Sequence, residues 1–301
     1  MTVSSPRINH NLEAPMDMQG KTCVVTGASN GIGKETARAL ARRGAHVVML
    51  CRNRDKGEAA RGEIRAGAPE AQGVDLVIGD LSSQASVKQA AAEILARHPA
   101  IHVLVNNAGI SIDYREKSAD GVEMVLATNH LGSFLLTHLL ADALAAAAPA
   151  RVVTVSSAME KGARIHWDDL EYERTSYSMM KVYAQSKLMN VMFTYELARR
   201  WKDRGITANC LHPGVIDTGL VGGVRSPFMR GLFKVAQLFF KSPDKGAEGS
   251  VYLAGAPEIE GKTGGYYVDK KLAKSNPVTY DQDALARLWS ISEKYVGLAP
   301  A

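Results

Sequence analysis

An α/β protein, with a parallel sheet covered by helices on both faces, is what this sequence predicts, and three observations predict it. Short apolar, β-branched runs alternate with longer helical patterns from residue 21 onward. Seven such runs occur, most of them followed by a helix, which suits strands buried on both faces. The stretch "TGASNGIG" (26–33) follows the first run directly and opens the first helix, the place where a doubly wound sheet carries its phosphate-binding turn.

Taken in order, "TCVVTG" (22–27) reads as a buried strand and "GIGKETARALARRG" (31–44) as a helix closed by Gly44. "HVVMLCR" (46–52) is the second strand, and a charged helix follows at 55–66. Strands "VDLVIGD" (74–80) and "IHVLVNNAG" (101–109) flank the helix "SSQASVKQAAAEILARH" (82–98). A long helix is expected over 120–147, then strand "RVVTVSS" (151–157), a helix over 177–203 and strand "ITANCLHPG" (206–214). After an irregular stretch, a helix at 244–255 precedes strand "GGYYVDK" (264–270), and a last helix covers 281–296. Right-handed crossovers turn this order into a doubly wound (Rossmann) fold with a seven-stranded parallel sheet. No linker divides it, so a single domain is expected over 19–301, preceded by a polar arm at 1–18.

The bulk numbers narrow the function classes. Apolar residues at 46% and charged residues at 22% are ordinary for a soluble globular chain. The net charge of +5 is spread without blocks, and aromatics are only 6%, so the basic stripe and stacking platforms of a nucleic-acid binder are missing. Cys23, Cys51 and Cys210 sit in apolar strand-like runs and read as reduced, buried residues of a cytoplasmic protein. His98 and His102 have metal-like spacing, but Pro99 breaks the helix between them, and no metal site is expected. No run reaches the length of a membrane span, and the opening twenty residues lack the parts of a signal peptide.

In the glycine loop, Gly27 allows the tight turn, Gly31 lets backbone approach a pyrophosphate, and Gly33 permits close helix–strand packing. The second strand ends "LCRNRDK". Cys51 stands where an acid would hold the ribose hydroxyl of NAD, and Arg52 follows, suited to the 2′-phosphate of NADP. NADP(H) is therefore the favoured cofactor, with NAD(H) the alternative.

"SYSMMKVYAQSKL" (176–188) offers two tyrosine–lysine pairs at helical spacing, Tyr177 with Lys181 and Tyr183 with Lys187. Either ammonium could lower the pKa of its phenol and make it a proton donor. Both pairs cannot serve one site.

These motifs together resemble the classical short-chain dehydrogenase/reductase family, over almost the whole chain. "TGASNGIG", with Ser29, Asn30 and Ile32 among its glycines, resembles that family's cofactor loop, and Asn53 follows Arg52 at the next strand end. "GDL", with Asp80 and Leu81, resembles the segment against the adenine. "NNAG", with Asn107, Ala108 and Gly109, resembles the central-strand signature. "HPGVIDT", with Pro213, Gly214, Ile216 and Thr218, resembles the segment that closes on the nicotinamide. In detail the chain is similar to the retinol dehydrogenase-like branch, through "GKETARALARRGAHVVMLCRN", "TNHLGSFLLTHLL" and "RLWSISEKYVGL".

The resemblance implies a catalytic group of Asn, Ser, Tyr and Lys. It carries the Asn to Asn129 and the Ser to Ser157 rather than Ser156, since alternation along a strand lets only one of the two face the pocket. Three arguments favour Tyr183 with Lys187. Six residues along a helix turn the two tyrosines about 120° apart. Ala184 and Ser186 leave a cofactor room that Met179 and Met180 do not. The distance from Tyr183 to Pro213 is also close to the interval usual in the family. Tyr183 would then exchange the proton, Ser157 hold the substrate oxygen, Lys187 hold the ribose hydroxyls, and Asn129 position a water toward Lys187.

Two variable segments suggest by their character a bulky lipophilic aldehyde, ketone or alcohol as substrate, and the resemblance supports this by analogy. The segment between Ser157 and Tyr183 and the Phe-, Leu- and Val-rich segment 219–245 are expected to border its site. For 219–245, an ordinary packed helix and a membrane-surface contact are the alternatives. The branch's membrane-bound members carry an apolar N-terminal anchor that this chain lacks, and family members are commonly dimers or tetramers, so a soluble homo-oligomer is expected. The competing class is an NADP-binding sensor or scaffold without turnover. Such proteins typically lose the Tyr or the Lys, and both types are present here.

Overall fold

The computed structural model describes residues 17–214 and 242–299. Its strands are β1 (Thr22–Thr26), β2 (His46–Cys51), β3 (Gly73–Ile78), β4 (Val103–Asn106), β5 (Ala150–Val155), β6 (Ile206–His212), β7 (Gly265–Val268) and β8 (Lys271–Leu272). They form one sheet in the order β3-β2-β1-β4-β5-β6-β7-β8. The first seven pair in parallel, and β8 alone is antiparallel.

The eighth strand departs from the sequence reading, which ran a single strand through residue 270. Asp269 and Lys270 both take positive φ, 47° and 63°, and Val268 pairs with Lys271 across them. That is the two-residue hairpin turn whose twist matches its strands, here without the Asn-Gly or Asp-Gly that announces it.

The described helices are α1 (Gly31–Ala41), α2 (Arg54–Ala66), α3 (Gln84–Arg97), α4 (Met124–Leu126), α5 (Gly132–Leu139), α6 (Ala141–Ala146), α7 (Met179–Arg200), α8 (Pro243–Gly255) and α9 (Gln282–Val296). Strand alternation divides the core into two layers. Val24, Val48, Leu50, Val77, Leu104 and Val152 face the layer of α3, α5, α7 and α9. Cys23, Val25, Val47, Met49, Val103, Val105, Val153 and Val155 face the layer of α1, α2 and α8. All three cysteines are buried and unpaired; burial raises the Cys23 thiol to about 12 and the Cys51 thiol to about 11.

The single long helix expected over 120–147 is broken. Glu123 caps α4 through its carboxylate, a π turn follows over Ala127–Leu131, and Leu140 leaves helical geometry between α5 and α6. Apolar and alanine-rich periodicity is blind to a one-residue bulge of this kind, and such bulges are frequent at functional sites. A Cβ at Gly132 would stand 2.2 Å from the Leu81 carbonyl oxygen, so the glycine admits α5 against the end of β3. The sheet changes winding direction at β1, which pairs with β2 on one side and β4 on the other. The carboxyl ends of β1 and β4 therefore form the crevice where open α/β sheets bind ligands.

Candidate active site

The crevice is tied together by Thr26, a residue the sequence reading passed over although it opens the glycine motif. Its hydroxyl accepts from the Asn107 and Ala108 amides at 3.0 Å each, and Asn107 Nδ2 donates to the Thr26 carbonyl at 2.8 Å. Gly27 and Gly31 take φ of 67° and 54°, backbone that side chains resist. At Gly33 a Cβ would lie 2.4 Å from both Asn107 Nδ2 and the Gly27 carbonyl. Asn30 caps α1 in extended backbone without a side-chain hydrogen bond, and the first turn carries no acid. The leading N–H groups of α1 thus lack a capping side chain and favour an anion. Ser29 bonds Cys51, and Ile32 is buried against Ala247.

At the end of β2, Arg52 is exposed, and Asn53 caps α2 by accepting from the Lys56 amide at 2.9 Å. Asp80 accepts from the Ser82 amide and hydroxyl at 2.9 and 2.7 Å, and Leu81 packs beside Gly132. Pro213 and Gly214 lie just past β6, with Gly214 at φ 91°. Ile216 and Thr218 lie outside the described residues, as does most of the segment 219–245.

Tyr183 and Lys187 project from α7. Burial raises the Tyr183 phenol to about 12, and a hydrogen bond from Ser157 pulls against it. Lys187 is 3% exposed, donates to the Val155 carbonyl at 2.9 Å and lies 5.6 Å from the centre of the Tyr183 ring. Burial lowers its pKa to about 8. Ser157 lies two residues past β5 and accepts from the Met159 amide at 3.3 Å, whereas the buried Ser156 donates to the Lys187 carbonyl at 2.8 Å. The two serines divide as strand alternation requires: Ser157 meets the phenol, and Ser156 pins α7 to the sheet.

The π turn presents Asn129. Its Oδ1 accepts from the Ile110 amide at 2.7 Å, and its Nδ2 donates to the Ile110 carbonyl and to Ser186 Oγ at 3.0 Å each. A Cβ on Gly109 would be 3.3 Å from Lys187 Nζ and 3.5 Å from Asn129 Oδ1. Gly109, Asn129, Lys187 and, through Ser157, Tyr183 therefore converge on one place.

The other tyrosine is differently placed, and the helix-face comparison of the two does not hold. The helix begins at Met179 rather than at residue 177, so Tyr177 precedes it, and Lys181 is exposed. Tyr177 donates to Glu123 Oε1 at 3.1 Å, and burial with that carboxylate raises its pKa further than any other influence lowers it. Glu123 itself was missed, although an acid before a helical run is a capping signal. It is fully buried, and burial raises its pKa. Its neighbours Ile112, Val125, Tyr172 and Val182 form an apolar cluster edged by Ile110, Tyr114, Met124 and Tyr177. Part of the 157–183 segment packs on its own domain: Ile165 and Trp167 join the large core layer, and the Arg287 guanidinium lies 4.5 Å over Trp167.

Residues 21–227 match the family model described as short chain dehydrogenase. Retinol dehydrogenase 14 of Mus musculus is 43% identical, covering 93% of this chain and 87% of that protein. Retinol dehydrogenase 11 of Mus musculus is 40% identical over 98% and 91%. Among solved structures, an uncharacterised Mycobacterium paratuberculosis protein superposes with a TM-score of 0.78 at 32% identity, covering 96% of this chain and 98% of that one. A Burkholderia cenocepacia J2315 short chain dehydrogenase in complex with NADP gives 0.65 at 25% identity, over 83% and 96%. The chain belongs to the short-chain dehydrogenase family and is an oxidoreductase of its retinol dehydrogenase-like branch.

Proposed function

We propose that this protein transfers a hydride between NADP(H) and the carbonyl or alcohol carbon of a bulky lipophilic aldehyde, ketone or alcohol, with Tyr183 as general acid and base. The observation that carries this reading is the Tyr183 phenol, hydrogen-bonded by Ser157 and set beside a buried Lys187 ammonium.

The residues suit a dinucleotide. The α1 N-terminus lacks a capping side chain and an acid in its first turn, and Gly33 leaves no room for a Cβ. The pyrophosphate would lie on that helix end, and Lys187 would take the ribose hydroxyls. No acid ends β2, and the exposed Arg52 favours the 2′-phosphate of NADP; the Burkholderia cenocepacia relative was solved with NADP. When bound, the nicotinamide supplies or accepts the hydride.

In the reductive direction the carbonyl oxygen gains negative charge. The Ser157 hydroxyl holds that oxygen and Tyr183 delivers its proton to it, leaving a phenolate. A positively charged Lys187 stabilises the phenolate. Gly109 keeps open a space bordered by Asn129 Oδ1 and Lys187 Nζ, where a water bonded to both would return the proton. Asn129 has a second task, holding Ile110 and with it the start of the apolar cluster.

That cluster supports the lipophilic substrate, as does the likeness to retinol dehydrogenases. A cytoplasmic location, supported by the three buried free thiols, completes the reading; among the described residues no helix is long and apolar enough to cross a membrane. Mixing the protein with NADPH and a panel of carbonyl compounds, and following nicotinamide absorbance, tests the substrate class. Bulky apolar aldehydes and ketones should be consumed with higher kcat/KM than small polar ones. The reverse order would overturn the lipophilic assignment, and no turnover at all would favour the sensor or scaffold reading.

A further inference from the structure

His98 and His102 share a metal-like spacing in the sequence, but the fold gives each a different neighbour. His102 Nδ1 accepts from the Thr22 amide at 3.0 Å. His98 closes α3 as its C-cap and turns instead to two residues on the sheet. His46 opens β2, and Asp75 lies on β3 opposite Val48, two positions along in register. Val48 and Val77 belong to the core layer that α3 covers, so alternation puts His46 and Asp75 on that same face. The three side chains meet where α3 ends, at the amino end of the strands and away from the crevice at their carboxyl ends.

We propose that His46, Asp75 and His98 form a binding site for a divalent cation of the zinc class. His46 Nε2 and His98 Nε2 lie 3.0 and 3.1 Å from Asp75 Oδ2, and one donor atom from each of the three falls within 4.8 Å of the others. Tetrahedral zinc with bonds near 2.0–2.1 Å separates its donors by about 3.3 Å, so small side-chain rotations close the set. Two imidazoles and a carboxylate are zinc-class donors, and three protein ligands leave a position for water. His46 and Asp75 are 27% and 20% exposed, so a cation can enter from solvent.

Two further features suit ligation. A Cβ on Gly73 would lie 2.5 Å from His46 Cε1, so the glycine is what lets the imidazole lie across β3 toward Asp75. Burial lowers the pKa of His98, favouring the neutral ring that a metal needs. Arg97 is the competitor: its NH2 bonds Asp75 Oδ2 at 2.8 Å, while its NH1 reaches Glu93 at 3.2 Å. A cation would displace one of these contacts and leave the guanidinium its other partner. Bound there, it would tie the sheet's edge strand β3 to β2 and to the end of α3.

The test is zinc titration of the full chain, freed of any purification tag and of prior metal, read by equilibrium dialysis with elemental analysis. One equivalent should bind, and the melting temperature should rise with zinc concentration. His46→Ala and His98→Ala should each weaken binding at least about tenfold, the range that even outer-shell losses reach. Arg97→Ala should tighten it, because it removes the competing cation. Binding of less than one equivalent, or affinities equal in wild type and both histidine variants, would overturn the site. Should a histidine variant fail to fold, X-ray absorption of the zinc-loaded wild type decides: two imidazole nitrogens at the metal support the site, and a shell without them overturns it.

Discussion

Tyr177 and Tyr183 differ by what their hydroxyls meet. Burial raises both phenols, but Tyr177 donates to the buried Glu123 carboxylate, whereas Tyr183 is bonded by Ser157 beside the Lys187 ammonium. In the sequence, neighbours and the distance to "HPG" favour Tyr183 over Tyr177; the helix-face argument fails because the helix starts after Tyr177. Glu123, which decides the surroundings of Tyr177, lies 54 residues away, and no local pattern links the two. Tyr177→Phe strips a donor from a buried carboxylate and should cost about 1–3 kcal/mol in urea unfolding while turnover persists; loss of turnover would contradict its placement outside the proton path. Lys187 gives a pH signature. Its pKa falls from 10.5 to about 8 in the fold, so between these values the unfolded chain binds the extra proton and stability rises with pH. The stability of wild type minus that of Lys187→Met should therefore increase from pH 8 to 10.5, by up to about 3 kcal/mol. A flat difference would contradict the buried, depressed ammonium, and taking the difference removes the opposing effect of the buried thiols.

Elements were legible where periodicity is strong. All seven parallel strands, α1 to α3, α8 and α9 lie near their expected ranges, because apolar runs and caps mark them. Two features were not legible, for physical reasons. The hairpin before β8 uses Asp269 and Lys270 at positive φ, a turn that residue type does not advertise. The break at 127–131 is a single-residue change of winding, and it carries Asn129 to Ile110. Gly132, directly after that turn, sits against the Leu81 carbonyl. Gly132→Ala should destabilise the protein by about 1–3 kcal/mol or more, because the added methyl meets backbone that cannot swing aside. Chemical denaturation measures it, and a neutral result would mean that α5 does not approach β3 this closely.

For the whole molecule, the order β3-β2-β1-β4-β5-β6-β7-β8 places the glycine loop, the end of β4 and the start of α7 around one crevice. Strand count and helix alternation carry that topology, since right-handed crossovers leave few other arrangements. Side chains brought together from distant strands, such as His46, Asp75 and His98, are invisible until the strands are in register. Cofactor choice belongs to this scale, because Arg52 stands exposed just past β2, the strand beside β1. Arg52→Ala should weaken NADPH binding about tenfold or more, the worth of a lost charge-assisted bond, and leave NADH binding nearly unchanged. Equal losses for both would contradict a 2′-phosphate contact. Proton transfer by Tyr183 is checked by pairing two readings on Tyr183→Phe: turnover of a lipophilic aldehyde with NADPH, and NADPH binding by fluorescence. The predicted result is a fall in turnover of about 10²–10⁴-fold or more with binding within a few-fold of wild type. Turnover near the wild-type rate with binding intact would contradict it.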